Sequence, residues 1–282
     1  MTAAVDLPLV DGATRLYGII GDPVAQVKSP EVMTARFRAA GRNAILVPLH
    51  VPAARFDETV RGLMTLANLD GIVITVPYKS RILSYVDRLL PVGKRVGAIN
   101  AMRRQADGSW TGDMFDGRGL VRSLREQGVA LEGRRVMQLG AGGAGSAVAC
   151  AFAEAGAAAI TLYDLDEAKA RALAERVAAG YPACAIEVGS PAARGHDILV
   201  NATPIGMAPG DGMPAELGQL DPSLLVIDII IKAEPTPLLE HAQACGCRTV
   251  GGRAMLDGQA EEVARFFGVG AEQMAADPKS RS

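Results

Sequence analysis

The stretch Arg135-Val-Met-Gln-Leu-Gly140-Ala-Gly142-Gly-Ala-Gly145-Ser-Ala-Val constrains this chain more than any other. A short apolar run, Val136 to Leu139, passes directly into glycines spaced G-x-G-x-x-G, and an alanine-rich segment from about Ser146 to Ala155 follows. Strand, glycine turn and helix in that order predict a dinucleotide site. Gly140 permits the tight turn, Gly142 lets backbone approach a pyrophosphate with no Cβ in the way, and Gly145 lets the helix pack closely on the strand. The helix N-terminus then presents unpaired N–H groups and the positive end of its dipole to phosphate. A glycine-rich turn alone says little, but here a second apolar run, Ala159 to Tyr163, ends in Asp164. That is close to the interval of about 20 residues at which an acidic residue meets the adenosine ribose.

Asp164 also selects between dinucleotides. A carboxylate there accepts hydrogen bonds from the ribose hydroxyls of NAD and repels the 2′-phosphate of NADP. Its neighbours Tyr163 and Leu165 supply no cation. The competing role, N-cap of the next helix, can be filled by Asp166. The expected cofactor is NAD.

With 282 residues, the chain is long enough for two domains. Hydrophobic residues make up 49%, charged residues 21%, and the net charge is −2, so no basic excess points to nucleic acid and no run is long enough to span a membrane. The N-terminus lacks the cationic and apolar regions of a signal peptide. Cys150, Cys184, Cys245 and Cys247 lie in apolar or small-residue contexts. Cys245 and Cys247 are too close-set for a usual zinc pair, and no histidine cluster accompanies them, so no metal site is expected. Reduced thiols and a cytoplasmic location follow. A homodimer is compatible with this reading, though nothing in the sequence sets the oligomeric state.

The N-terminal part alternates strand and helix. Strands are predicted at Arg15 to Gly21, Ala44 to His50 and Gly71 to Thr75, with helices from Ser29, as N-cap before Pro30, to about Ala40 and from about Ala53 to Leu66. This order predicts a largely parallel sheet. Lys79 follows the third strand at its carboxyl end, where open α/β sheets place ligand crevices. A solvated lysine is the plain alternative. Two further short strands, Ala98 to Arg104 and Ser109 to Gly112, deliver Asn100 and Asp116 near the start of a helix, where Asp116 competes for the role of N-cap. Strands Asp197 to Asn201 and Leu224 to Asp228 continue the nucleotide-binding part. Asn201 and Thr203 then sit at a strand end that should face the nicotinamide half of the cofactor, with ordinary loop chemistry as the alternative. The loop Pro209 to Pro214 is turn-rich. A last helix is predicted from Met255 to Phe267; Gln259 on it either returns to the crevice or is an exposed helix position.

Val27-Lys-Ser-Pro30, Thr75-Val-Pro-Tyr-Lys79, Gly97-Ala-Ile-Asn100, Gly112-Asp-Met-Phe-Asp-Gly117, Gly140-Ala-Gly-Gly-Ala144, Asn201-Ala-Thr-Pro-Ile-Gly206, Thr236-Pro-Leu-Leu239 and Met255-Leu-Asp-Gly-Gln-Ala260 occur in order. Together they resemble the shikimate and quinate dehydrogenase family, from about Tyr17 to Phe267. The resemblance implies an N-terminal α/β substrate domain, residues 1–116 completed by 251–282, separated by a crevice from a Rossmann-type domain, residues 117–250. It implies a catalytic pair, Lys79 and Asp116, substrate contacts from Ser29, Thr75, Asn100 and Gln259, and cofactor contacts that include Gly140, Gly142, Gly143 and Ala144.

The implied reaction interconverts a secondary alcohol and a ketone on an alicyclic hydroxy acid such as shikimate or quinate. Oxidation needs the hydroxyl proton removed as hydride leaves for the nicotinamide. His50, His196 and His241 lie outside the motifs, which leaves Lys79 and Asp116 to handle that proton; which of them holds it is open. Four positions depart from the family pattern. Val27, Val73, Phe115 and Ile231 stand where serine, asparagine, threonine and tyrosine are usual. An unpaired substrate oxygen in a dry pocket costs about 1–3 kcal/mol, so another alicyclic polyol is a competing substrate. A non-catalytic NAD-binding regulator is a rival of a different class, opposed by the retained Lys79, Asp116, Asn100 and Gln259.

Overall fold

Two separate six-stranded sheets organise the protein, whose computed structural model describes residues 10–232 and 235–269. In the first part, apolar β-branched runs form β1 (Arg15–Gly21), β2 (Ala44–His50) and β3 (Leu69–Ile74), with α1 (Ser29–Ala39) and α2 (Phe56–Met64) between them. Short elements β4 (Arg88–Leu89) and α3 (Pro91–Val96) precede a hairpin of β5 (Ala101–Arg104) and β6 (Trp110–Asp113). The sheet order is β2-β1-β3-β5-β6-β4. Its β2-β1-β3 half is parallel, whereas β5 runs antiparallel to both β3 and β6. One face packs Ile20, Phe56, Ile72, Ile74, Tyr78, Ile82, Ile99 and Trp110 together. Strand alternation turns Val73, 3% exposed, to the other face from Ile72 and Ile74.

The chain continues through α4 (Asp116–Glu126), β7 (Arg135–Leu139), α5 (Gly143–Glu154), β8 (Ala159–Tyr163), α6 (Glu167–Gly180), β9 (Ala185–Val188), β10 (Ile198–Asn201), β11 (Leu225–Asp228), α7 (Pro237–Ala244), β12 (Arg248–Val250) and α8 (Arg253–Phe266), and β7 to β12 form the second sheet. This sheet, in the order β12-β11-β10-β7-β8-β9, is parallel throughout. The chain starts at the centre with β7, winds outward through β8 and β9, then returns to the other side of β7 with β10. The strand order therefore reverses between β7 and β10, and a doubly wound sheet opens its ligand crevice at the carboxyl ends there.

Small residues set the helix packing. A Cβ on Gly117 would lie 2.1 Å from the Ala147 carbonyl oxygen, so α4 and the alanine-rich α5 meet backbone to backbone there. Val136, Val148, Phe152, Ile160, Leu162, Ile198, Val200 and Ile227 fill the core beneath.

The chain divides into two compact units. One draws on the chain up to Leu90, Ile99–Asp113 and the chain from Ala260; the other consists of Pro91–Ala98 and Met114–Gln259. The division falls within α8 and before α4, so Asp116 and Gln259 both count with the nucleotide-type sheet.

Local expectations need two corrections. Ser29 is the first helical residue of α1, not its cap; Lys28 occupies the cap position with no side-chain hydrogen bond. Ser29 is instead buried at 8% exposure. The helix after the glycine loop starts at Gly143, ahead of Ser146, because Gly142, with extended backbone, already acts as its cap.

Candidate active site

The glycine loop has little steric freedom. Gly140 has φ +98, and a Cβ on it would lie 2.7 Å from the Ala202 carbonyl carbon. A Cβ on Gly145 would lie 2.3 Å from the Gly140 carbonyl oxygen. Neither position accepts another residue. Gly142, by contrast, has nothing within 4 Å of its would-be Cβ, leaving a cradle that a side chain would fill and a pyrophosphate can use. Gly143, Ala144 and Gly145 form the first turn of α5, whose N–H groups have no intrahelical acceptor.

Asp164 follows β8 beside this loop. Its Oδ2 accepts the Ala141 N–H at 2.7 Å, and its Oδ1 accepts the Asp166 N–H at 2.9 Å. These two bonds orient the carboxylate against the glycine loop. These features fit a dinucleotide: open backbone for phosphate and a fixed acceptor for ribose hydroxyls.

Asn201 and Thr203 lie at the end of β10, across the switch point. Asn201 is fully buried. Its amide donates to the Ile205 carbonyl and to Asp228 Oδ1, both at 3.2 Å, while its Oδ1 accepts the Thr203 N–H at 3.0 Å and hydroxyl at 2.7 Å. Asn201 thus holds the 201–205 loop in shape, and Ala202 and Thr203 abut Gly140.

Asp228, at the end of β11, is a further residue of this site. It is fully buried and accepts hydrogen bonds from Thr236 Oγ1 at 2.6 Å, the Ile230 N–H at 3.0 Å and Asn201. Burial pushes its carboxyl above the ordinary range, and these hydrogen bonds partly oppose the rise. In the sequence Asp228 stands only as the last residue of the strand Leu224 to Asp228. A carboxylate closing the run Leu-Val-Ile, eight residues before Thr236, was the signal.

In the first unit, Thr75, Lys79 and Asn100 come together at the carboxyl end of β3. Antiparallel β5 sets Val73 opposite Ala101, which brings Asn100 to that end. The Ile74 N–H donates to the Asn100 carbonyl at 2.8 Å, the Ile99 N–H to the Lys79 carbonyl at 2.8 Å, and the Thr75 N–H to the Ile20 carbonyl at 3.0 Å. Asn100 is 1% exposed, whereas Thr75 and Lys79 are half-buried. Ser29 begins α1 after the loop that leaves the same end of β1. Three hydroxyl or amide side chains and one ammonium group at a single sheet end can position a polyhydroxylated substrate and exchange a proton with it.

Asp116 and Gln259 form a second group. Asp116, 1% exposed, opens α4 after Phe115, which takes the cap position with no side-chain hydrogen bond. One turn on, a Cβ on Gly119 would lie 2.3 Å from the Gln259 backbone nitrogen, and a Cβ on Gly258 would lie 2.1 Å from the Gly119 carbonyl oxygen. Helices α4 and α8 therefore cross at paired glycines, which sets Gln259 one turn from Asp116. Of the four apolar departures, Val73 and Phe115 are buried, and Val27 and Ile231 are half-buried. An open groove at the amino ends of β10 and β11, lined by Arg194, His196, Glu216 and Asp221, contains none of the predicted residues.

Residues 19–102 match the family model for the shikimate dehydrogenase substrate binding domain. A shikimate dehydrogenase (NADP(+)) of Rubrobacter xylanophilus is 37% identical, over 93% of this chain and 94% of that protein. The structure of shikimate 5-dehydrogenase from Listeria monocytogenes in complex with shikimate and NAD is 28% identical with a TM-score of 0.81, covering 92% of this chain and 93% of that one. Quinate dehydrogenase from Corynebacterium glutamicum in complex with NAD is 30% identical with a TM-score of 0.77, covering 90% and 93%.

Proposed function

We propose, from the premise that the chain belongs to the shikimate and quinate dehydrogenase family, that it is an NAD-dependent dehydrogenase of an alicyclic hydroxy acid of the shikimate or quinate class. The observation that carries the cofactor assignment is Asp164, whose carboxylate is fixed against the Ala141 N–H beside the glycine loop. A ribose with two free hydroxyls satisfies such a group, and a 2′-phosphate is repelled by it. The Rubrobacter relative is named for NADP(+), so cofactor preference is the point to test first.

In this reading the first unit binds substrate and the second binds the cofactor, which supplies the hydride acceptor. Gly140, Gly142, Gly143 and Ala144 receive its pyrophosphate, Asp164 its ribose, and Asn201 and Thr203 shape the wall near its nicotinamide. Ser29, Thr75, Asn100 and Gln259 hold the substrate's hydroxyls and carboxylate. Lys79 and Asp116 act on the reacting hydroxyl: Asp116 accepts its hydrogen bond, and Lys79 carries the departing proton toward solvent. Holding the reacting carbon and this pair in one geometry converts an encounter into a unimolecular step. Four unbridged cysteines support a reducing, cytoplasmic setting, and a homodimer is the assembly put forward.

Steady-state kcat/KM with shikimate and with quinate, each measured with NAD and NADP at the absorbance of the reduced nicotinamide, tests this function. NAD should be favoured, and Asp164→Ala should narrow the gap. An unmodified protein that favours NADP would refute the role given to the carboxylate. No turnover of either acid with either cofactor would refute the substrate class.

A further inference from the structure

The dinucleotide loop rests on a buried amide that the glycine motif does not include. Gln138, in the apolar strand β7, is fully buried. Its Nε2 donates to the Gly140 carbonyl and to the Gly145 carbonyl, each at 2.9 Å, so one side chain ties together the two ends of the loop. Its Oε1 has no hydrogen-bond partner among the described residues. A buried acceptor left unpaired weighs against the fold, whereas valine, leucine or methionine at this position would suit the core. The side chain is therefore poorly explained by stability alone.

The peptide between Gly140 and Ala141 explains it better. A trans peptide points its C=O and N–H in opposite directions. Here Gln138 holds the C=O from below, and the Asp164 carboxylate accepts the N–H at 2.7 Å on the other side. Rotation of this one peptide plane would break both contacts. We infer that Gln138 is a positioning residue: by fixing the 140–141 peptide it sets the attitude of the Asp164 carboxylate, and so contributes to the choice between NAD and NADP as well as to the shape of the phosphate loop. This rests on the dinucleotide reading above and extends it to a residue that touches neither cofactor nor substrate.

Gln138→Met tests the inference, because methionine matches the length and packs adaptably but cannot donate. Binding of NAD and NADP is titrated separately for wild type, Gln138→Met, Asp164→Ala and the double variant, with melting temperatures alongside. Gln138→Met should stay folded, because the side chain still fills the core, yet bind NAD about tenfold more weakly, one decade being about 1.4 kcal/mol. Its NAD-to-NADP affinity ratio should fall severalfold, and the same change should have little further effect on that ratio once Asp164 is alanine, since residues acting through one contact are not additive. Unchanged NAD affinity and an unchanged ratio would overturn the inference. So would loss of the folded state in both Gln138→Met and Gln138→Leu, which would make Gln138 a residue of the fold. Wild type that binds neither dinucleotide would instead overturn the underlying reading, a result obtained before any variant is compared.

Discussion

Gly119→Ala probes how α4 and α8 hold Asp116 and Gln259. The added Cβ would lie 2.3 Å from the Gln259 nitrogen and 2.6 Å from its Cα. Ordinary contact begins near 3.4 Å, so the helices must part by about 1 Å, 3.4 less 2.3. Both nearest atoms are backbone, so no side chain can rotate away. Overpacking of this kind costs about 1–3 kcal/mol, and in a chain of this size each kcal/mol lowers the melting temperature by about 2–4 °C. The expected fall is about 2–12 °C. A 1 Å displacement near reacting groups can also lower turnover by about a hundredfold, so kcat/KM should drop well beyond what the loss of stability explains at 25 °C. Gly62→Ala is the control. It lies in α2 with nothing within 4 Å of its would-be Cβ, and there the same substitution should stabilise by about 0.5–1 kcal/mol. Calorimetry and steady-state kinetics on both variants decide the matter. A Gly119→Ala protein that melts with wild type and turns over normally would refute the close crossing of α4 and α8.

Lys79→Ala should lower kcat by about 10²–10⁴-fold with little change in NAD affinity, and Asp116→Asn should also slow turnover; near-normal turnover in Lys79→Ala would remove it from the mechanism. Val27→Ser with Ile231→Tyr, which restores the family's polar groups, should raise kcat/KM for shikimate by about tenfold, one decade being about 1.4 kcal/mol. Tight shikimate binding by wild type with no response to that pair would count against an altered pocket. Asp228 gives a pH signature. Its folded carboxyl holds its proton to a higher pH than in the unfolded chain, so the folded state binds more protons in that window and this group's contribution to stability is lost as pH rises through it. Melting curves from acid through the carboxylate range should lose part of that decline in Asp228→Asn; an unaltered profile would show that Asp228 is not its source.

The sequence by itself determined the local parts. The run Val136 to Leu139, the glycine spacing and Asp164 specified strand, turn, helix and acidic partner, because steric freedom at glycine and alternation of apolar residues act over a few positions. The ordered motifs specified the family for the same reason: each is a short segment whose chemistry is written in adjacent residues. Tertiary structure decided the rest. β9 (Ala185–Val188) is half exposed and short; only pairing with β8 makes Ala-Ile-Glu-Val a strand. The return of the chain from β9 to β10, beside β7, created the switch point that sets Ala202 and Thr203 against Gly140. Asp228 takes its role from Thr236, Ile230 and Asn201, which close around it in the fold. Gln138 takes its role from the carbonyls of Gly140 and Gly145, which its amide meets in the fold. In each case the deciding contact joins residues or peptide planes whose relative placement only the folded sheet fixes, so hydrogen bonds and packing across strands, rather than pattern along the chain, assigned the role.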